Sequence, residues 1–329
     1  MVVFFRNISC FKILSIIKYK PLMLNYYQTT LDQNITFEGV GLHSGKASKI
    51  TILPSKANEG ITFKRVDLDE NNIIRSCFKN VPSAKLCTTL QNRNGIKVST
   101  VEHLLASLYI SGIDNAVIEI DNEEVPIMDG SAKFFLEKLQ VAKIKILNSK
   151  RKFIKILKKV ELIDGLRKIS IEPSNSFEVD FKLNYENKII GQQRNIVNFH
   201  KDDLKDIIES RTFCLFEDVE KIKKFGLAKG GSLDNAIVVS QDKVLNKTGL
   251  RNQKEFVNHK ILDLAGDFLL FGQRVLGKVI CNHGGHELTN MFLRKLYNTN
   301  SSFSTIELRN NLTIAQSGLS FSVKEAVNA

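Results

Sequence analysis

The sequence predicts an α+β protein built from two domains of related topology, and two observations carry that prediction. First, one order of elements occurs twice: the helical stretch STVEHLLASLYISG, the strand NAVIEI, the loop PIMDG and the helix SAKFFLEKLQ are matched later by EFVNHKILDLAGDFLLFG, GKVIC, NHGG and HELTNMFLRKLY. Second, segments of alternating apolar and polar residues, the period of a half-buried strand, precede each set: ITFKRVDL in the first half, KISIEP and FEVDFKL in the second. Residue identity between the halves is low, so the relation rests on the layout. The basic stretch NSKRKFIK, at about 148–155, divides them into domain I over 23–150 and domain II over 151–329. No low-complexity linker or short-period repeat interrupts either half.

The 329 residues suffice for two domains of ordinary size, and 43% hydrophobic content supplies a core. A net charge of +12 suits an anionic partner, whether nucleic acid, membrane face or phosphorylated ligand. The aromatics are mostly Phe, with no Trp, and basic residues do not interleave with them as in RNA-binding surfaces. No nucleic-acid partner is therefore expected. Cys10, Cys77, Cys87, Cys214 and Cys281 are odd in number and widely spaced, with no CxxC. That usage points to reduced thiols and a cytoplasmic setting.

The N-terminal MVVFFRNISCFKILSIIKYKPL is apolar and basic but has no clean apolar core or small-residue cleavage site. No run reaches the ~18 apolar residues of a membrane span, so no stable membrane insertion is expected. Two readings stay open for residues 1–22: sequence upstream of a true start at Met23, or a short disordered or membrane-grazing tail.

In FVNHKILDLAGDFLL, His259, Asp263 and Asp267 recur every four residues. At about 100° per residue they fall within roughly 80° of one another. One reading is an amphipathic helix with its polar edge in water; the other is a ladder of metal ligands, since His and Asp at i, i+4 can share an ion. In VSTVEHLL, Ser99 to Glu102 has the S-x-x-E form of a capping box, and His103 follows. If the two histidine-bearing helices pack together between the domains, His103 and His259 meet. A catalytic zinc usually takes three protein ligands and leaves one position for water. His103, His259 and Asp263 make such a set, with Glu102 beside it as general base. The glycines of NHGGH allow close backbone approach before His286, His283 reads as a rim residue, and Asp267 is spaced to accept a hydrogen bond from a neighbouring histidine.

Taken with GVGLHSGK at 39–46, PIMDGSA at 126–132 and SRTFCLFEDVE at 210–220, the stretches TVEHLL, HKILDLAGD and GGH resemble the zinc-dependent UDP-3-O-acyl-N-acetylglucosamine deacetylases of lipid A biosynthesis, in order from about residue 24 to 310. The resemblance implies two small sheets, each with two helices, stacked β-α-α-β with the helices inside. It implies zinc on His103, His259 and Asp263, Glu102 as base, and His286 as acid oriented by Asp267. Thr212 would stabilise the oxyanion. Asp218, Lys260 and Tyr185 would engage the nucleotide, and His43 would lie near the site. A β-α-β insert near 213–239, with Phe213 and Leu215, would receive the acyl chain. The implied reaction removes the N-acetyl group of the sugar nucleotide as acetate, an early committed step of lipid A biosynthesis, and a monomer is expected. Thr289 replaces the first of a common Asn pair, and Tyr185 stands where Phe is frequent. A zinc peptidase would need neither nucleotide subsite nor acyl groove, and a binding module would have no use for His103, His259, Asp263 and Glu102 together.

Overall fold

The computed structural model describes residues 26–308. Residues 1–22 with Cys10, the Met23 start and the chain beyond residue 308 lie outside the described residues. A five-stranded sheet in the first half runs Ile35–Val40, Ala47–Pro54, Ala116–Ile120, Ile61–Arg65 and Ile73–Arg75 from edge to edge. Ala116–Ile120 runs parallel to Ile61–Arg65, and the other pairs are antiparallel. In the second half, Val160–Asp164, Arg167–Pro173, Arg274–Asn282, Phe177–Asn184 and Gln192–Asn198 take the same spatial order with the same single parallel pair. Numbered along the chain, both sets read 1-2-5-3-4. Lys152–Ile156 and Phe303–Glu307 extend the second sheet to seven strands.

Helices enclose the last strand of each set in sequence. In the first half α1 (Glu102–Ser111) precedes it and α2 (Lys133–Val141) follows. After the short α3 (Lys205–Ile208) and α4 (Phe216–Lys224), the second half repeats the arrangement with α5 (Glu255–Leu269) and α6 (His286–Asn298). The result is a mixed α+β fold. Strands Phe213–Leu215 and Ile237–Val239 pair in parallel on either side of α4, which has no buried residue.

The two helices that carry the candidate ligands are buried on every side. All of α1 from Glu102 to Ile110 is buried, and in α5 only Lys260 is not. A helix apolar around most of its circumference belongs inside the protein, and these two pack on each other. Their crossing is close enough that a Cβ on Gly266 would lie 2.1 Å from the Glu102 carbonyl oxygen and 3.0 Å from the Ala106 nitrogen. The water-facing reading of α5 is thereby corrected: His259, Asp263 and Asp267 are 1%, 4% and 3% exposed. At the base of α1, Asp114 ties the halves together. Its Oδ2 accepts from Arg151 Nη2 at 2.7 Å and its Oδ1 from Arg274 Nε at 3.2 Å. Losing that carboxylate would strand buried guanidinium charge.

Candidate active site

Where α1 meets α5, three ligand atoms converge. His103 Nε2 lies 3.4 Å and His259 Nε2 3.3 Å from Asp263 Oδ1. One atom from each of these buried residues falls within 4.8 Å of the other two. Asp263 Oδ1 has no hydrogen-bond partner although it is buried, a costly state for a carboxylate oxygen. Bonds of about 2.0–2.1 Å in a tetrahedron set ligands about 3.3 Å apart, so the spacing fits a small divalent cation. The ring of His259 is oriented from behind, its Nδ1 lying 3.0 Å from the Ser210 carbonyl, which leaves Nε2 facing Asp263 and available to a metal. Burial pushes the His259 imidazole down to about 3, so it presents the neutral ring that metal binding needs. Asp263 is held well below the usual carboxylate range: burial opposes its charge, but His259, Lys260 and His286 outweigh burial.

Beside this cluster stand two further titratable side chains, Glu102 and His286. Glu102 Oε1 is 3.7 Å from His286 Nε2, and His286 Nδ1 is 2.9 Å from Asp267 Oδ2. Burial pushes Glu102 upward, only partly offset by His286 and His103. Burial also works against charge on His286, yet Asp267, Glu102 and Asp263 raise it to about 9. One group thus gains basicity while its neighbour keeps a proton at neutral pH, the division that general base and general acid require.

The capping box is not formed. Ser99 Oγ donates to the Glu123 carbonyl at 3.1 Å, Thr100 takes the left-handed region at φ 56°, and the α1 N-cap is Val101 with no side-chain bond. Glu102 is therefore not occupied in satisfying its own helix. Its residue type matched a cap, but the turn before it points Ser99 elsewhere.

Those six residues form a continuous cluster, with Thr212 and His43 on the same pocket wall. The profile of the family described as UDP-3-O-acyl N-acetylglycosamine deacetylase matches residues 28–298. The chain belongs to this deacetylase family. Among its relatives, proteins named UDP-3-O-acyl-N-acetylglucosamine deacetylase are 40% identical over 295 residues in Pseudoalteromonas translucida (89% of this chain, 97% of the relative) and 42% identical over 274 residues in Lawsonia intracellularis (83% and 90%). A third, from Citrifermentans bemidjiense, is 40% identical over 282 residues (85% and 92%).

Several deacetylase-family motifs fix the pocket through backbone contacts. Thr212 donates its N–H to the Gly130 carbonyl at 2.8 Å, joining the RTF and MDG stretches. Gly130, at φ 83°, has no room for a Cβ, which would meet the Asn235 carbonyl oxygen at 2.0 Å. Buried Arg211 bonds Glu255 in the first turn of α5, Nε to Oε1 at 2.8 Å. That pair anchors the segment whose Ser210 carbonyl meets His259. Glu124 was not singled out from sequence, yet its buried carboxylate accepts from the N–H groups of His43 and Ser44 at 2.8 and 2.7 Å and from Thr100 Oγ1 at 2.9 Å. It ties the GLHSGK loop to the turn before α1. An acidic residue in the run DNEEVP gives no sign of that role.

The remaining expected residues divide. Lys260 donates to Asp263 Oδ2 at 3.0 Å, and its Nζ stands 5.4 Å from the centre of the Phe213 ring. Tyr185 packs edge-on to Phe213 at 5.9 Å, so the three form one cation–aromatic patch next to the triad. Leu215 is half-buried outside the pocket lining. Asp218 lies on α4 outside the lining of this pocket, half-buried and paired with Lys221 at 3.0 Å. His283 is half-buried with φ 53°.

Proposed function

We propose that this protein hydrolyses the N-acetyl group of UDP-3-O-acyl-N-acetylglucosamine, giving the free amine and acetate, with zinc held by His103, His259 and Asp263. The observation that carries this reading is the unpartnered Asp263 Oδ1 between two imidazole Nε2 atoms, with Glu102 and His286 alongside. Bound there, zinc supplies Lewis-acid activation of the amide carbonyl and of water. Glu102, next in sequence to a ligand without being one, takes the proton of the attacking water at Oε1. His286, protonated at Nε2, gives a proton to the departing nitrogen, which leaves poorly as an anion. Asp267 holds the His286 ring by Nδ1. Thr212, which lines the pocket, supplies its hydroxyl in this reading as a donor for the developing oxyanion.

In this reading Lys260 and Tyr185 receive the uridine diphosphate, where cation and aromatic faces suit phosphate and base. Phe213, which touches both, stands where that subsite meets the insert. The insert around α4, with Leu215 at its root, receives the acyl chain, and His43 closes the wall facing His286. We take the chain as two domains dividing near residue 150, each contributing one ligand-bearing helix, and as a cytoplasmic monomer, since one chain supplies the whole site. Among the described residues no helix is long and apolar enough to cross a membrane.

The test is metal content per chain together with acetate release from the sugar nucleotide. One zinc per chain is expected, with turnover that chelation abolishes and zinc restores. Glu102→Gln should keep the zinc and lose most turnover. A zinc-loaded wild type that releases no acetate would refute the reading.

A further inference from the structure

Glu102, His286 and Asp267 belong to a ring of contacts, and one residue outside the pocket lining closes it. Thr88 donates its hydroxyl to Asp267 Oδ1 at 2.6 Å and its backbone N–H to Glu102 Oε2 at 3.1 Å. The circuit then runs from Thr88 to Glu102, from Glu102 Oε1 to His286 Nε2 at 3.7 Å, from His286 Nδ1 to Asp267 Oδ2 at 2.9 Å, and back to Thr88. Thr88 is 1% exposed, and its carbonyl accepts the Val101 N–H at 3.4 Å. It is thus fixed to the residue that opens α1.

We propose that Thr88 is a positioning residue for the acid–base pair, holding the Glu102 carboxylate and the Asp267–His286 dyad in one frame. The proposal rests on the reading that Glu102 and His286 handle the protons of deacetylation. An ionised carboxylate offers acceptor sites on both oxygens, and here each carboxylate has one oxygen committed to Thr88. That leaves Glu102 Oε1 turned toward His286 and Asp267 Oδ2 toward the imidazole. The terminal torsion of Asp is broad, so without the hydroxyl the Asp267 carboxylate is free to turn and the His286 ring loses its fixed bearing. A misplacement of about 1 Å in a reacting group costs on the order of 100-fold in rate.

The experiment uses the zinc-loaded full chain. Thr88→Val removes the hydroxyl and keeps the volume; Thr88→Ser keeps the hydroxyl and removes the methyl. The expected result is a fall in kcat of about 10- to 100-fold in Thr88→Val, with KM and bound zinc unchanged, and recovery of most of the rate in Thr88→Ser. In an Asp267→Asn background, Thr88→Val should add little, because the two residues act through one contact. Where the valine variant does not fold, Thr88→Cys, with similar volume and a weak donor, supplies the same comparison. A wild-type kcat in Thr88→Val, a Thr88→Ser variant as impaired as Thr88→Val, or full additivity with Asp267→Asn would each overturn the proposal. A zinc-loaded wild type without deacetylase activity would refute the reaction itself, and this assignment with it.

Discussion

Replacing Asp267 by Asn should move the basic limb of the rate–pH profile. His286 Nδ1 lies 2.9 Å from Asp267 Oδ2. Burial disfavours the imidazolium, but Asp267, followed by Glu102 and Asp263, lifts the ring from 6.5 to about 9. A hydrogen bond to a charged group contributes about 1.5–3 kcal/mol, and one pKa unit corresponds to about 1.4 kcal/mol. Removing the Asp267 charge should therefore lower the His286 pKa by about 1–2 units. Asparagine keeps an oxygen for the Nδ1–H, so the ring stays close to its place. A dication bound at His103, His259 and Asp263 would lower the absolute position in both proteins, so the difference between them is the quantity to read. The assay is kcat/KM for acetate release across the pH range with zinc saturating, with His286→Ala as control. The basic limb should shift down in Asp267→Asn while the acidic limb, which the proposed mechanism assigns mainly to Glu102 and metal-bound water, should move much less. A basic limb that stays in place, or that survives in His286→Ala, refutes the assignment and leaves Glu102 to serve as both base and acid.

Three further outcomes are expected. His259→Ala should weaken zinc binding by more than about 100-fold, since even outer partners of a metal ligand cost 10- to 100-fold; a stoichiometric, tightly held zinc in a dialysed sample would contradict the ligand set. Gly266→Ala forces its new methyl against the α1 backbone, and overpacking of this kind costs about 1–3 kcal/mol or more. Its melting temperature should fall by about 2–5 °C, and an unchanged melt would rule out the close crossing. Hydroxamates with a long apolar tail should inhibit far more strongly than tailless ones, and equal inhibition constants would argue against an acyl channel along the insert.

The convergence of His103, His259 and Asp263 was legible because helical spacing alone puts His259 and Asp263 on one face and because the repeated layout supplies a second histidine helix. Periodicity could not say which face of α5 meets water, and the buried answer comes from packing against α1. The S-x-x-E pattern misled for a local reason: Thr100, which would be the first helical residue after a Ser99 cap, takes the left-handed region instead of right-handed helical geometry, so α1 starts later. Glu124 and Thr88 escaped notice because they act from loops, where no period marks them, through backbone donors and contacts far away in sequence.

The twofold 1-2-5-3-4 arrangement has a consequence for what a single chain can do that an assembly of identical subunits cannot. Two equal copies would bring identical helices to their axis, and every functional group would appear twice. Here the paired helices differ at corresponding steps from their histidines. Counting forward four and eight residues gives Ser107 and Ser111 on α1 but Asp263 and Asp267 on α5; counting back one gives Glu102 on α1 but Asn258 on α5. The carboxylates are thereby divided, one beside the first histidine and two beyond the second, with no duplicate charge crowding the centre. Joining both halves covalently is what lets near-symmetric scaffolding hold a lopsided set of reagents.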